Sequence, residues 1–216
     1  MNVWKSALDL VFPRCCPGCG TFTASDGLWC DECLKKVMDP HMIQGNDHPH
    51  LAACYTATRY TGDVRTLIID LKYNKKPYLA KAFTPILENF PWWERLADIE
   101  LAVPIPLSDA RKKDRGYNQT DLIFEEFLRN RGVPYDADCL VRIRNTPKQS
   151  LLSKEDREKN MKRAFHINRG KDVKGKTILL LDDIYTTGLT LSSAADELHR
   201  AGAAKIIGLT VSSGAI

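Results

Sequence analysis

No apolar run in this chain approaches the roughly 20 residues of a membrane-spanning helix, so no such helix is expected. Internal repeats and low-complexity tracts are also missing, and with 44% hydrophobic and 27% charged residues the composition is that of a soluble globular protein rather than a disordered or fibrous one. The amino terminus has no small-residue cleavage site, and Asp9 interrupts what would be its apolar region. An export signal is therefore not expected, and a cytoplasmic location is. The five histidines are scattered, with no zinc-finger spacing, and no helix-turn-helix or other duplex-reading pattern is found.

What the chain does have is cysteine, seven in all, an odd number that argues against a disulfide framework and for metal or free thiols. Five fall within the first 33 residues. Cys16, Cys19, Cys30 and Cys33 form C-x2-C-x10-C-x2-C, two tight turns whose thiolates can converge on one Zn2+. Four protein thiolates leave no open position for water, so the expected ion is structural; a redox C-x2-C is the weaker reading. Cys15 could replace Cys16, leaving the register open by one residue. Pro17, Gly18 and Gly20 suit the tight turns. Ahead of them, Trp4, Ala7, Leu8 and Val11 mark the apolar stripe of a short helix. After them, "DPHMIQGNDHPH", with His41, His48 and His50, reads as a linker. The chain is thereby divided into a zinc module over residues 1–50 and a second domain over residues 51–216.

In that second domain helical and strand patterns alternate. Residues 63–90 carry helical periodicity, with Leu79, Phe83 and Leu87 on one face, and stop at Pro91. A strand at 99–103 runs into "PIPLSDARKKDRGYN", a helix follows from Gln119 to Arg131 with Gly132 as its cap, and a strand lies near "CLVRI". "KTILLL", a helix from Thr190 to Arg200 and "KIIGLTV" make a strand-helix-strand unit. Such uninterrupted apolar strands are buried on both faces, as in a parallel sheet flanked by helices.

Within that unit, "ILLLDDIYTTGLT" sets Asp182 and Asp183 at the end of a buried strand and Thr186, Thr187, Gly188, Leu189 and Thr190 at the start of a helix. Ligands of open α/β sheets bind at such strand ends. A loop of small and hydroxyl residues at a helix start presents backbone N–H groups to a phosphate monoester, and this loop has neither Walker nor dinucleotide-fold spacing. Paired carboxylates repel a polyphosphate but accept hydrogen bonds from vicinal sugar hydroxyls and suit a nearby Mg2+. A ribose 5-phosphate satisfies both halves. Charge adds to this: residues 109–169 hold 15 Lys and Arg against 10 Asp and Glu, so the basic excess of the whole chain sits there. Arg111, Lys112, Lys113 and Arg115 offer cations to a diphosphate or a nucleic-acid backbone, and Arg157, Lys159 and Lys162 are placed to close over it. Lys72 in "IDLKYNKK" is a further candidate cation, or a solvated lysine at a helix end. Trp92-Trp93 reads as a packing or interface pair.

Asp182 to Thr190, with Ile184 and Tyr185 between, resemble the phosphoribosyl diphosphate (PRPP) signature of type I phosphoribosyltransferases. "VPIPLSDARKKDRGYNQ", "TPKQSLLSKEDREKNMKRAF" and the four-cysteine module extend the likeness to the ComF family of competence-associated proteins, over essentially the full chain. The resemblance implies a type I phosphoribosyltransferase-like α/β fold, PRPP with Mg2+ in the acidic loop, and a pyrophosphate loop of Pro104, Ile105, Pro106, Leu107 and Ser108. Arg115, Gly116, Asn118 and Gln119 would lie beside that loop, and residues 145–163 would form a mobile flap. It also implies a part in DNA uptake, which makes single-stranded DNA and other competence proteins expected partners. Leu189 departs from the Gly or Ala that many phosphoribosyltransferases carry, and Asn2 stands where amidotransferases for PRPP expose a cysteine. Two functions stay open: a PRPP-binding and DNA-binding protein, or a Mg2+-dependent phosphoribosyltransferase acting on a nucleobase or amine.

Overall fold

The computed structural model describes residues 15–24, 29–43, 48–143 and 164–214. The amino-terminal helix expected around Trp4 to Val11 lies outside them, as does the flap of residues 145–163 with Arg157, Lys159 and Lys162.

Five strands make the central sheet: β1 (Met38–Met42), β2 (Ala53–Arg59), β3 (Leu101–Pro104), β6 (Thr177–Tyr185) and β7 (Lys205–Ser213). Their order is β1-β2-β7-β6-β3, with β2, β7, β6 and β3 parallel and β1 antiparallel at the edge. The period-2 geometry of a strand explains the apolar run of β6. Leu179 and Leu181 enter the core on one face, and Ile178 and Leu180 enter the core on the other.

Helices cover both faces. On one lie α2 (Gly62–Tyr73), α3 (Thr84–Glu88) and α5 (Gln119–Asn130), which bury Ile68 and Leu71, Ile86 and Leu87, and Phe124 and Leu128. On the other, α6 (Leu189–Arg200) buries Leu191, Ala194 and Leu198 against Ile178, Leu180 and Ile206. Two further helices among the described residues are short: α1 (Asp31–Val37) follows the cysteines and α4 (Asp109–Arg115) follows β3. β4 (Leu140–Arg142) and β5 (Phe165–Ile167) form a separate antiparallel pair, with the Ile143 N–H donating to the Ala164 carbonyl at 3.0 Å.

Three sequence expectations change. The stretch read as a linker supplies β1, which pairs with β2; Pro40 is tolerated there because an edge strand can spare a donor. Helical periodicity over 63–90 does not become one helix. Proline lacks an N–H and disfavours helical geometry in the residue before it, and α2 gives way after Tyr73 to a 3-10 segment, Pro77–Phe83. The strand read over "KTILLL" runs on to Tyr185, because β7 continues alongside to Ser213, and Asp182 and Asp183 lie in its carboxyl-terminal half as expected.

Candidate functional site

Tyr185 and Gly188 shape the loop at the end of β6. Gly188 caps α6 with φ +74°, and a Cβ placed there would fall 2.3 Å from Tyr185 Oη, so backbone angle and ring both demand glycine. Thr186 and Thr187 are left exposed. Leu189, the departure noted in the sequence, turns toward the core beneath α6 and does not line the cleft in front of the loop.

That cleft, of about 180 Å³, is lined by Asp182, Asp183, Ile184, Thr186 and Thr190 on one side. Facing them are Ile105, Pro106, Leu107, Arg111, Gln119, Arg142 and Lys72. Asp183 is buried and held by Lys72, whose Nζ stands 2.9 Å from Oδ1 and 2.8 Å from Oδ2. The Asp183 N–H donates to Asp182 Oδ1 at 2.9 Å. Burial and, after it, the neighbouring negative Asp183 push the Asp182 carboxyl well above the ordinary carboxylate range. One acid is thus neutralised by an ion pair, and its neighbour faces the cleft next to it.

Residues 104–108 pass from β3 into α4 as a loop fixed at both ends. The Ile105 N–H donates to the Leu181 carbonyl at 2.8 Å, Asn118 Nδ2 donates to the Ile105 carbonyl at 3.1 Å, and Ser108 is the buried cap of α4. Asn118 also caps α5 by accepting from the Thr120 N–H at 3.2 Å, so it orders the site rather than facing a ligand.

The four candidate cations of 111–115 divide. Arg111, Lys112 and Lys113 are exposed on α4, whereas Arg115 is partly buried, bonded to Gln119 Oε1 and 5.8 Å from the Tyr73 ring. Burial lowers the pKa of Arg115, against the attraction of Asp183. Arg142 also lines the cleft, with its guanidinium 5.4 Å from the Phe165 ring. Sequence reading passed over it, since one arginine in "CLVRI" gives no hint that the β4–β5 pair carries it to the cleft. Trp92 and Trp93 are packing residues, in ring contact with Tyr55, Phe90 and Phe127.

A Walker-like spacing does occur elsewhere, from Gly170 to Thr177, but it runs from β5 into β6 instead of opening a helix. It lacks the helix start that makes such a loop a phosphate cradle.

The cysteine module docks on the main core through buried Trp29, whose Nε1 donates to the Ala82 carbonyl at 2.7 Å. Cys16, Cys19, Cys30 and Cys33 bring all four sulfurs within 4.8 Å of one another. Cys30 Sγ lies 3.7 Å from both Cys16 Sγ and Cys19 Sγ. A tetrahedral Zn2+ with bonds of about 2.3 Å needs sulfurs about 3.8 Å apart, so the set fits zinc. Gly18 is required here: a Cβ on it would come within 2.9 Å of Cys33 Sγ. The group of four sulfurs contains Cys16 and not Cys15, which favours the Cys16 register.

Comparison with known proteins agrees with this arrangement. A phosphoribosyl transferase domain matches residues 99–214, and a double zinc ribbon domain matches residues 7–45. Competence protein F of Haemophilus influenzae is 34% identical over 202 residues, covering 90% of this chain and 82% of its own. The chain belongs to the ComF family. Its ComF relatives include the DNA utilization protein YhgH of Escherichia coli, 30% identical over 195 residues that cover 88% of this chain and 80% of that one. Among solved structures, glutamine PRPP amidotransferase from Bacillus subtilis superposes with a TM-score of 0.44 at 18% identity, over 66% of this chain and 30% of that one.

Proposed function

We propose that this ComF protein binds PRPP or a related sugar phosphate in the cleft in front of β6, binds single-stranded DNA along α4, and supports DNA uptake. One observation carries the reading: an acidic pair and a hydroxyl loop at a helix start share one cleft with Arg111, Arg142 and Lys72. The 5-phosphate would meet the N–H groups of Thr186 to Thr190, the sugar hydroxyls would donate to Asp182, and the diphosphate would face the arginines and the Pro104 to Ser108 loop. Mg2+ would arrive with the diphosphate, and its positive charge would favour ionisation of the Asp182 carboxyl, whose carboxylate is the donor suited to it. Asp183, already paired, would order the site. The relatives' names, competence protein and DNA utilization protein, support the DNA role.

A second reading, transfer of the ribosyl group to a nucleobase or amine with release of pyrophosphate, is favoured by the same cations, which could stabilise a departing diphosphate. Thermal unfolding with and without Mg-PRPP tests the first. Ligand at a hundredfold its dissociation constant should add about 2.7 kcal/mol, and the Asp182→Asn/Asp183→Asn protein should gain nothing. A wild-type melting curve unmoved by millimolar PRPP would count against the site. Pyrophosphate release on adding nucleobases to the Mg-PRPP complex would select the enzyme.

A further inference from the structure

Three aromatic side chains stand well exposed among the described residues: Phe22, Tyr73 and Tyr78. Tyr73, 71% exposed, is the one that directly follows a residue of the cleft, Lys72. Its position is tightly specified for a residue so open to water. The Tyr117 hydroxyl donates to the Leu71 carbonyl at 2.6 Å and pins the last turn of α2 to the chain after α4. Beyond Tyr73 the chain is tied back on Asp70, which accepts from Asn74 Nδ2 at 2.6 Å and Lys76 Nζ at 2.9 Å, while Lys75 sits at φ +51°. Left-handed backbone at a lysine has a cost and persists where the surroundings enforce it. The ring held out by this turn lies against the Arg115 guanidinium, whose partner Gln119 lines the cleft.

Stacking is the chemistry such a ring offers. An exposed phenol beside a planar cation gives a π-face and a guanidinium edge, the pairing on which nucleobases settle whatever their sequence. The cleft next to it suits a ribose phosphate, and a ribose bears its base on C1, away from the 5-phosphate that the Thr loop would hold. We infer that Tyr73 is a stacking platform for a nucleobase, with Arg115 as its flank. The inference rests on the sugar-phosphate reading of the cleft and adds the base that goes with it, either the base of a mononucleotide or one base of a single strand.

The test uses the full chain, with three probes: oligothymidylate, an abasic strand of equal length, and thymidine 5′-monophosphate. Wild-type protein should prefer oligothymidylate to the abasic strand by on the order of tenfold. Tyr73→Ala should lose that preference and Tyr73→Phe should keep it. Competition by thymidine monophosphate would place a mononucleotide on the ring, and its failure to compete would place a strand there. Circular dichroism checks that the Ala variant folds, which the exposure of the ring leads one to expect. The inference is overturned if wild type binds base-bearing and abasic strands alike, or if Tyr73→Ala retains the preference. PRPP has no base, so a wild-type protein that ignores PRPP but shows a Tyr73-dependent base preference would refute the reading of the cleft and leave the platform standing.

Discussion

Lys72 and Asp183, 111 positions apart in the chain, form an ion pair in which one ammonium approaches both carboxylate oxygens, at 2.9 and 2.8 Å. Their side chains are 17% and 4% exposed, so water does little to screen them. Removing one partner from such a pair strands a buried charge, which costs about 3–5 kcal/mol. Lys72→Met should therefore lower the unfolding free energy by about 3 kcal/mol in urea titrations. The Lys72→Met/Asp183→Asn protein should recover part of the loss, giving a coupling of about 1–3 kcal/mol. Purely additive effects would mean that the pair is not closed in solution.

Zinc should be retained at one ion per chain, because Cys16, Cys19, Cys30 and Cys33 supply four sulfurs at tetrahedral spacing. Cys19→Ser should release it, and Cys15→Ser should not. Structural zinc in small modules contributes on the order of 10 kcal/mol, so a strong chelator should unfold the cysteine module. Elemental analysis of reduced protein and of both variants decides the matter.

Much of this was legible in the residues, for physical reasons that differ from place to place. Uninterrupted aliphatic runs such as Ile178 to Leu181 report burial on both faces of a strand, and the cysteine spacing reports convergence on a metal. The edge strand Met38–Met42 was hidden because an edge needs backbone pairing and little apolar side chain, and its polar sequence looks like a loop. Lys72 was a bare candidate: nothing local says that the last turn of α2 meets the end of β6. Arg142 was missed for the same reason, and Tyr185, named only as part of the acidic loop, gave no local sign that its ring closes on Gly188; both contacts arise after the chain has folded back.

Gly188→Ala should be more damaging than an exposed loop substitution normally is. A non-glycine residue in the left-handed region costs about 1–2 kcal/mol, and the new methyl would also collide with the Tyr185 ring. Relief requires the loop of Thr186 and Thr187 to move, so the variant should melt at lower temperature and lose its stabilisation by Mg-PRPP. Unchanged stabilisation would show that loop geometry does not matter to the ligand.

Asp121 should make stability depend on pH. Burial pushes its carboxyl up to about 6, although Tyr135 Oη donates to it at 2.9 Å. A carboxyl held above its ordinary value favours folding when protonated, so this contribution is complete below about pH 4 and is lost as pH rises through about 6. Relative to Asp121→Asn, wild-type stability should fall by about 1 kcal/mol between pH 4 and 7.5, a figure reduced for partial exposure. Parallel pH profiles of the two proteins would contradict it.

Single-stranded DNA binding should show its cations through salt. Arg111, Lys112 and Lys113 lie exposed on α4, whereas Arg115 turns inward to Gln119 and Tyr73. Each phosphate contact on a single strand contributes a slope of about −0.7 in log affinity against log salt concentration. Replacing the three exposed cations by alanine should flatten the slope by about 2 units if all three make contact. Arg115→Ala alone should leave the slope nearly as it was, because its guanidinium is engaged within the protein. PRPP in excess should compete with the strand if a phosphate of the strand occupies the Thr loop. A triple variant that keeps wild-type affinity and slope would show that α4 does not carry the strand, and the cations at the cleft would then be left to pyrophosphate.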